Sequence, residues 1–107
     1  MTATVNTTDF NLKIKEAILR IEPDAEVILF GSRARGDHRP DSDWDLLVVT
    51  DQAESSDLKF NIRNQLAEFL FNEGVLLTAL FLRKDVWAAG SSPSPVISEI
   101  RKEGVLL

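Results

Sequence analysis

Two aspartates near the middle of the chain have the type and spacing of metal ligands. Asp43 and Asp45 flank Trp44 at the start of an apolar run that ends at Val49. If this run is a strand, its side chains alternate, so both carboxylates point to one face, about 7 Å apart along the chain. Carboxylates this close repel each other, and a hard cation such as Mg²⁺ or Mn²⁺ relieves the repulsion. We therefore expect Asp43 and Asp45 to hold a divalent metal ion.

A second group of residues, upstream of these acids, has the features of a phosphate site. Gly31 and Ser32 end an apolar run and open a brief helical turn. Glycine lets backbone approach a phosphate closely, a helix N-terminus offers free N–H groups, and the Ser32 hydroxyl is a further donor. Arg35 is the best phosphate candidate among the nearby arginines, whereas Arg33 and Arg39 could equally be solvated. The two groups together predict a site for a Mg²⁺-nucleoside triphosphate.

Each half of this pattern is weak when it is considered alone. A glycine-serine pair is common at strand ends, and paired acids in an acidic protein are often a solvated strand end. The segment between the two halves is too short for an ordinary parallel crossover that packs a full helix, so the strands are expected to run antiparallel. Antiparallel pairing would bring Gly31 and Ser32 beside Asp43 and Asp45.

The elements that must position these residues follow from hydrophobic spacing and helix-capping residues. The first half is predicted to hold a helix capped by Thr7 or Thr8 and ended by Pro23, a strand over 25–30, a helical turn over 32–36 and a strand over 44–49. The second half is predicted to hold a helix capped by Ser55 or Ser56 and ended by Gly74, a strand over 75–82, and a helix capped by Ser94 and closed by Gly104. This order predicts an α+β fold, a small mixed β-sheet with helices packed on it.

A three-stranded sheet with helices on one side would leave apolar side chains partly uncovered. Leu47 and Val49 lie on the face of the second strand that also carries the acids. We expect a partner or a second copy of the chain to cover them, because exposed apolar patches often mark interfaces. The alternative is that the C-terminal helix, or the tail over 105–107, folds back over this face.

Composition indicates a small acidic domain. The 107 residues are enough for one compact domain over 1–107, without a separate substrate domain. A net charge of −5 disfavours a nucleic-acid partner. With no cysteine and one histidine, any metal must be held by oxygen. No stretch approaches the roughly 20 apolar residues that span a bilayer, and the N-terminus has no signal-like pattern, so we expect a cytoplasmic protein without membrane association.

The segment over 31–45 resembles the signature of the DNA polymerase β-like nucleotidyltransferase superfamily. It reads glycine-serine, ten positions, then aspartate-any-aspartate, and the flanking residues Phe30, Ala34-Arg35-Gly36 and Ser42 are similar to that family too. Within that superfamily, the length of the sequence and the expectation of a single domain make it most similar to the minimal nucleotidyltransferases. Many of these pair as the antitoxin with a helical HEPN-type toxin.

The resemblance implies an activity and roles for individual residues. The two motif acids, Asp43 and Asp45, would be catalytic and ligate Mg²⁺ or Mn²⁺, while Gly31 and Ser32, together with Arg35, would bind the nucleotide. The implied reaction transfers a nucleoside monophosphate, AMP from ATP, to a hydroxyl of a protein. The implied partners are ATP or another nucleoside triphosphate and a helical HEPN-type protein, or further copies of the chain.

The chain departs from the family at one position. A third acid is expected on the next strand, but residues 75–82 contain no carboxylate, and Thr78 is the polar residue nearest to the expected place. Threonine can neither neutralise a metal ion nor act as a base at neutral pH. Two alternatives therefore stay open: a catalytically weak or inactive nucleotide-binding antitoxin or regulatory module, and a small-molecule nucleotidyltransferase, whose usual acceptor domain is missing.

Overall fold

A computed structural model describes residues 7–90 and 94–107, with side chains described from Asp9 onward. Within these ranges the elements are α1 (Thr7–Ile21), β1 (Glu26–Phe30), α2 (Ser32–Arg35), β2 (Trp44–Val49), α3 (Ser56–Glu73), β3 (Leu77–Leu82), α4 (Lys84–Ala88), α5 (Pro95–Glu103) and β4 (Val105–Leu106). The predicted fold class, a small mixed sheet with helices packed on it, is confirmed. The Thr7 and Thr8 side chains, predicted as alternative caps of α1, lie outside the described side chains.

The strands form one mixed sheet in the order β3-β2-β1-β4. β1 and β2 pair antiparallel, as predicted, whereas β2 and β3 are parallel. The expectation of three strands is wrong, because β4 pairs antiparallel with β1 and the Leu107 N–H donates to the Val27 carbonyl at 2.9 Å. A two-residue strand is too short to show an alternating pattern in the sequence.

The two long helices, α1 and α3, cover one face of the sheet. Their side chains form a core with the β1 and β2 residues that point to this face, and its fully buried members include Ile14, Ile18, Leu46, Val48 and Ile62. The start of α3 is fixed by a cap, since the Leu58 N–H donates to the Ser55 hydroxyl at 3.2 Å. Gly74 ends the helix in the left-handed conformation, with φ of 70°.

On the opposite face of the sheet, α5 covers β1 and the later part of β2. Leu47 and Val49 are 0% and 1% exposed, so the expectation that they need a partner or a second copy is wrong. Ile97 and Ile100 of α5 pack on them together with Ile28. The alternative, a C-terminal helix that folds back, is the one that the structure shows. This second core brings α5 to the same face of β2 as the two acids.

A short helix that the sequence pattern did not predict follows β3. Trp87 in this helix, α4, packs against the core beneath α5, and the Arg101 guanidinium lies over its ring, 4.3 Å from the centroid. This contact ties α4 to α5. Within the described ranges, no helix has the length and apolar character needed to cross a membrane.

Candidate functional site

The β1–β2 hairpin places the predicted phosphate turn against the predicted metal ligands. Phe30, the last residue of β1, pairs directly with Asp45. The next residue, Gly31, lies so close to the acid that a Cβ atom added to it would overlap Oδ2 of Asp45 and lie 3.3 Å from its Cγ. The glycine backbone is therefore in contact with the carboxylate. Of the juxtaposition predicted from antiparallel pairing, the contact between Gly31 and Asp45 is present.

The turn after β1 has a conformation that favours glycine. Gly31 has φ of 76° and ψ of −158°, a combination that residues with a side chain rarely adopt. Ser32 then opens α2, and the amides of Ala34 and Arg35 both donate to the Gly31 carbonyl at 3.1 Å. The Arg35 bond is the ordinary first bond of a helix, whereas the Ala34 bond uses one of the N–H groups that a helix start usually leaves free, so one amide fewer is available to a ligand.

The two acids differ in their surroundings. Asp43 is exposed in the loop before β2, whereas Asp45 is half-buried in the strand. Burial raises the pKa of the Asp45 carboxyl, the neighbouring charge of Asp43 raises it further, and the positive charge of Arg35 opposes both. The ionised pair is thus unfavourable in the folded protein, which is the electrostatic situation that a bound cation relieves.

The donor set fits Mg²⁺ or Mn²⁺ that arrives with a triphosphate. In the described part of the chain, no group of three or more His, Cys, Asp or Glu side chains is placed to hold a metal ion. Asp43 and Asp45 offer two carboxylates, and Mg²⁺ is commonly bound by one or two carboxylates plus phosphate oxygens and water. The pair does not make an all-protein cage, so the remaining ligands would come from the nucleotide.

Removing the charge of Asp45 is expected to stabilise the metal-free fold above acidic pH. Because its folded pKa is raised, the native state binds this proton more tightly, and stability falls as pH rises through the raised value. Asp45→Asn should remove this loss of stability at neutral pH. The expected gain in the free energy of unfolding is small, on the order of 0.5 kcal/mol, because the side chain keeps solvent contact. Urea unfolding at pH 3 and pH 7 without metal measures this gain in stability. Asp41→Asn, in the exposed loop, is the control. A stability gain that is equal at both pH values would contradict the argument.

Arg35 lies beside the site but is already paired with acids. Its guanidinium donates to Asp37 at 3.2 Å and to Glu103 at 3.0 Å. Glu103 is on α5, and sequence reasoning missed it, because no local pattern links residues 68 positions apart. To contact phosphate, Arg35 would exchange at least one of these exposed ion pairs for a ligand oxygen, at little cost.

A cleft lies between α5 and the turn that follows β1. Its volume is about 300 Å³, and its lining comprises Phe30, Gly31, Arg35, Pro95, Val96, Glu99, Ile100 and Glu103. A larger groove of about 410 Å³ runs between α3 and β3 and is mostly apolar, away from the phosphate turn. The smaller cleft is the more relevant one for phosphate binding, because both Gly31 and Arg35 line it.

The position expected to carry a third acid lies next to Asp45. Thr78 on β3 pairs with Asp45 in the parallel register, so both side chains are on the same face. Thr78 is exposed, and no residue of β3 is a carboxylate. The acid that is missing from the sequence is therefore not supplied by this strand.

Comparison with known proteins identifies the family. Residues 12–106 match the nucleotidyltransferase domain family. A solved structure described as a nucleotidyltransferase is 27% identical and has a TM-score of 0.55, with 76% of this chain and 86% of that chain covered. Another, from Sulfolobus solfataricus, is 25% identical with a TM-score of 0.53, and the coverage is 92% and 76%. A minimal nucleotidyltransferase of the same fold has a TM-score of 0.62 at 20% identity, with 99% and 100% covered. No curated protein matches significantly.

Proposed function

This chain belongs to the nucleotidyltransferase domain family, and on that premise we propose that it transfers a nucleoside monophosphate from a Mg²⁺- or Mn²⁺-nucleoside triphosphate to a hydroxyl. The observation that carries the proposal is the contact between the Gly31 backbone and the Asp45 carboxylate. A triphosphate that touches this turn also reaches the two acids, so one ligand engages both halves of the site.

The residues of the site have two proposed roles, metal binding and phosphate binding. Asp43 and Asp45 would hold the metal ion, and its charge would offset that of the triphosphate and of the leaving pyrophosphate. The Ser32 hydroxyl and the Gly31 backbone orient the outer phosphates, with Arg35 beside them. The acceptor oxygen bonds to the α-phosphorus, the bond to the β-phosphate oxygen breaks, and the hydroxyl proton passes to water.

The acceptor that we propose is a protein, with ATP as the donor. The cleft beside the turn is small, and Thr78 and Leu80 on β3 remain exposed on the same face as Asp45. A protein acceptor can approach the acids over this open part of the sheet. The resemblance to minimal nucleotidyltransferases points to a helical HEPN-type toxin as that acceptor, which makes this chain an antitoxin acting in the cytoplasm.

One observation favours a second candidate function. The register partner of Asp45 is a threonine, so the site offers two carboxylates where the family resemblance implies three. A site of this kind can bind a metal-nucleotide complex while transferring slowly or not at all. The chain would then be a nucleotide-binding regulatory or antitoxin module.

Nucleotide binding and transfer are tested with one pair of variants. Asp43→Ala with Asp45→Ala should weaken Mg²⁺-ATP binding at least about 10-fold in calorimetry, because both metal ligands are lost. Asp24→Ala with Asp51→Ala makes the same charge change at exposed positions at the other end of the β1–β2 pair and should change binding less than about twofold. Mass spectrometry of a co-expressed helical partner, with ATP and Mg²⁺, then detects transfer.

The outcomes separate the two candidate functions. An adenylyl mass on the partner that disappears in the Asp43, Asp45 variant supports transfer to a protein. Intact Mg²⁺-ATP binding without added mass favours the binding module. Equal Mg²⁺-ATP affinity in the variant and the wild type would contradict the metal role of both acids and with it the proposed site.

A further inference from the structure

The guanidinium of Arg33 is hydrogen-bonded to the loop that precedes the two acids. Its Nη2 donates to the carbonyls of Pro40 at 3.2 Å and Ser42 at 3.0 Å, and its Nε donates to the Ser42 carbonyl at 3.3 Å. Arg33 is on α2, next to Ser32 of the phosphate turn, so one side chain joins the two halves of the site. These contacts show that Arg33 is not a freely solvated surface arginine.

The carbonyl that receives two of these bonds belongs to the peptide group immediately before Asp43. Asp43 precedes β2 and lies outside the paired residues of the β1–β2 ladder, which end at Asp45. On its C-terminal side, the chain is fixed where the Trp44 N–H donates to the Leu76 carbonyl at 2.9 Å. On its N-terminal side, the Arg33 bonds to Ser42 fix the peptide plane. The direction of the Asp43 side chain therefore depends on both attachments.

The loop is braced internally, so that Arg33 holds it as a unit. The Ser42 N–H donates to the Arg39 carbonyl at 3.0 Å, and the Arg39 N–H donates to the Ser42 hydroxyl at 2.8 Å. This reciprocal pair closes a turn over 39–42. Because Arg33 bonds to Pro40 and Ser42 within that turn, a shift of its guanidinium would move the whole turn rather than one residue.

The guanidinium is itself held by the core of the protein. It lies over the Trp44 ring, 4.8 Å from the centroid, and Trp44 is buried against Phe10 with ring centroids 4.9 Å apart. Trp44 points away from the face that carries Asp43 and Asp45. Arg33 thus connects a rigid aromatic contact in the core with the exposed loop beside the acids.

From this geometry we propose that Arg33 is a positioning residue that fixes Asp43 relative to Asp45 and to the phosphate turn. The inference rests on the proposed metal role of the two acids and adds a residue that acts through them. Lysine cannot replace Arg33 fully, because the planar guanidinium donates from two nitrogens while stacking on the ring, and an ammonium group cannot do both.

A positioning role and a purely electrostatic role of Arg33 predict opposite effects of Arg33→Ala on Mn²⁺ affinity. If Arg33 only added positive charge near the acids, Arg33→Ala would strengthen Mn²⁺ binding by removing a repulsive cation. If Arg33 positions Asp43, the same variant weakens Mn²⁺ binding about 10-fold or more, the usual effect of losing a group that orients a metal ligand. Arg33→Lys gives an intermediate loss. Arg39→Ala removes the same charge from the loop to which Arg33 is hydrogen-bonded but leaves the carbonyl contacts of Arg33 in place, so Mn²⁺ affinity is unchanged or slightly higher.

The experiment titrates the full chain with Mn²⁺ alone and measures free Mn²⁺ by electron paramagnetic resonance. Amide hydrogen exchange is followed on the same variants without metal. Arg33→Ala is expected to speed exchange at Ser42 and Trp44 and to leave Leu46 and Val48 within β2 protected. Weaker Mn²⁺ binding together with this local change supports the proposal.

Three results would overturn parts of the argument, and they can be told apart. Mn²⁺ affinity in Arg33→Ala that equals or exceeds that of Arg39→Ala overturns positioning by Arg33. Faster exchange throughout β2 shows a general stability role and overturns it as well. A wild-type chain that does not bind Mn²⁺ overturns the proposed metal role of the acids, and exchange at Ser42 and Trp44 then decides whether the loop depends on Arg33. If Arg33→Ala does not fold, Arg33→Lys is judged by the same two measurements.

Discussion

Gly31→Ala is expected to weaken Mg²⁺-nucleotide binding about 10- to 100-fold in a protein that still folds. Gly31 has φ of 76°, and its added Cβ would overlap the Asp45 carboxylate, so the backbone or the acid must move. Losing the correct orientation of a metal ligand typically lowers metal affinity about 10- to 100-fold, and the strained backbone conformation lowers the stability of the fold by about 1–3 kcal/mol. Calorimetry with Mg²⁺-ATP measures the first effect and urea unfolding the second.

Gly36→Ala is the matched control for this prediction. Gly36 ends α2 in the left-handed conformation with φ of 83° and ψ of 5°, so alanine there is also strained, although less than at Gly31, and no atom beyond the adjoining residues lies within 4 Å of the added Cβ. The control should lose less stability, about 1–2 kcal/mol, and keep its Mg²⁺-ATP affinity within about threefold of the wild type. If both variants lost nucleotide binding equally, the contact with Asp45 would not be the reason, and turn conformation alone would explain the result.

The hairpin at the centre of the site could be predicted from the sequence because its determinants are local. The apolar run that ends at Gly31 and the run that begins at Trp44 define two strands, and the short segment between them requires antiparallel pairing. From these features alone, Gly31 and Asp45 were expected to be neighbours. The caps Ser55 and Gly74 likewise defined α3 within a residue at each end.

The surroundings of the site could not be predicted, because they depend on contacts between residues far apart in the chain. The sequence shows that Leu47 and Val49 are apolar, but not that Ile97 and Ile100 cover them. The same docking of α5 brings Glu103 to Arg35, a pairing with no local signal. Hydrophobic patterns specify which face of an element is buried and do not specify which other element buries it.

The two elements that were missed are short and have little periodicity. The five residues of α4 give barely more than one helical turn, and the two residues of β4 give no alternation. The strand predicted from Val75 begins at Leu77 instead, because residues 75 and 76 are apolar without belonging to the ladder. In each case, tertiary pairing rather than composition decides where the element begins.

Thr78→Asp is expected to strengthen metal binding at the site about 10-fold, equivalent to about 1.4 kcal/mol. Thr78 is the parallel register partner of Asp45, so an aspartate there would place a third carboxylate on the same face, one strand away. Because position 78 is exposed, the new carboxylate keeps its hydration when no metal is bound. The third negative charge should at the same time slightly destabilise the metal-free fold through repulsion.

Two control variants distinguish a third metal ligand at position 78 from a general effect of added negative charge. Thr78→Asn has nearly the same shape as aspartate without the charge and should leave Mn²⁺ affinity unchanged. Leu80→Asp adds the same charge on the same face but in register with Leu47, one pleat further from Asp45, so its effect on Mn²⁺ affinity should be much smaller. Equal gains for Thr78→Asp and Leu80→Asp would show a general electrostatic effect rather than a third ligand.

The same variant also decides how the wild-type site limits transfer. If Thr78→Asp raises both Mn²⁺ affinity and the rate at which an adenylyl group appears on an acceptor, the wild type is a slow enzyme that lacks one carboxylate. If metal affinity rises and the rate does not, the missing acid is not what limits transfer, and the binding-module interpretation becomes stronger. If neither changes, Thr78 does not occupy the position of the third acid, although it pairs with Asp45, and that acid would have to come from a bound partner.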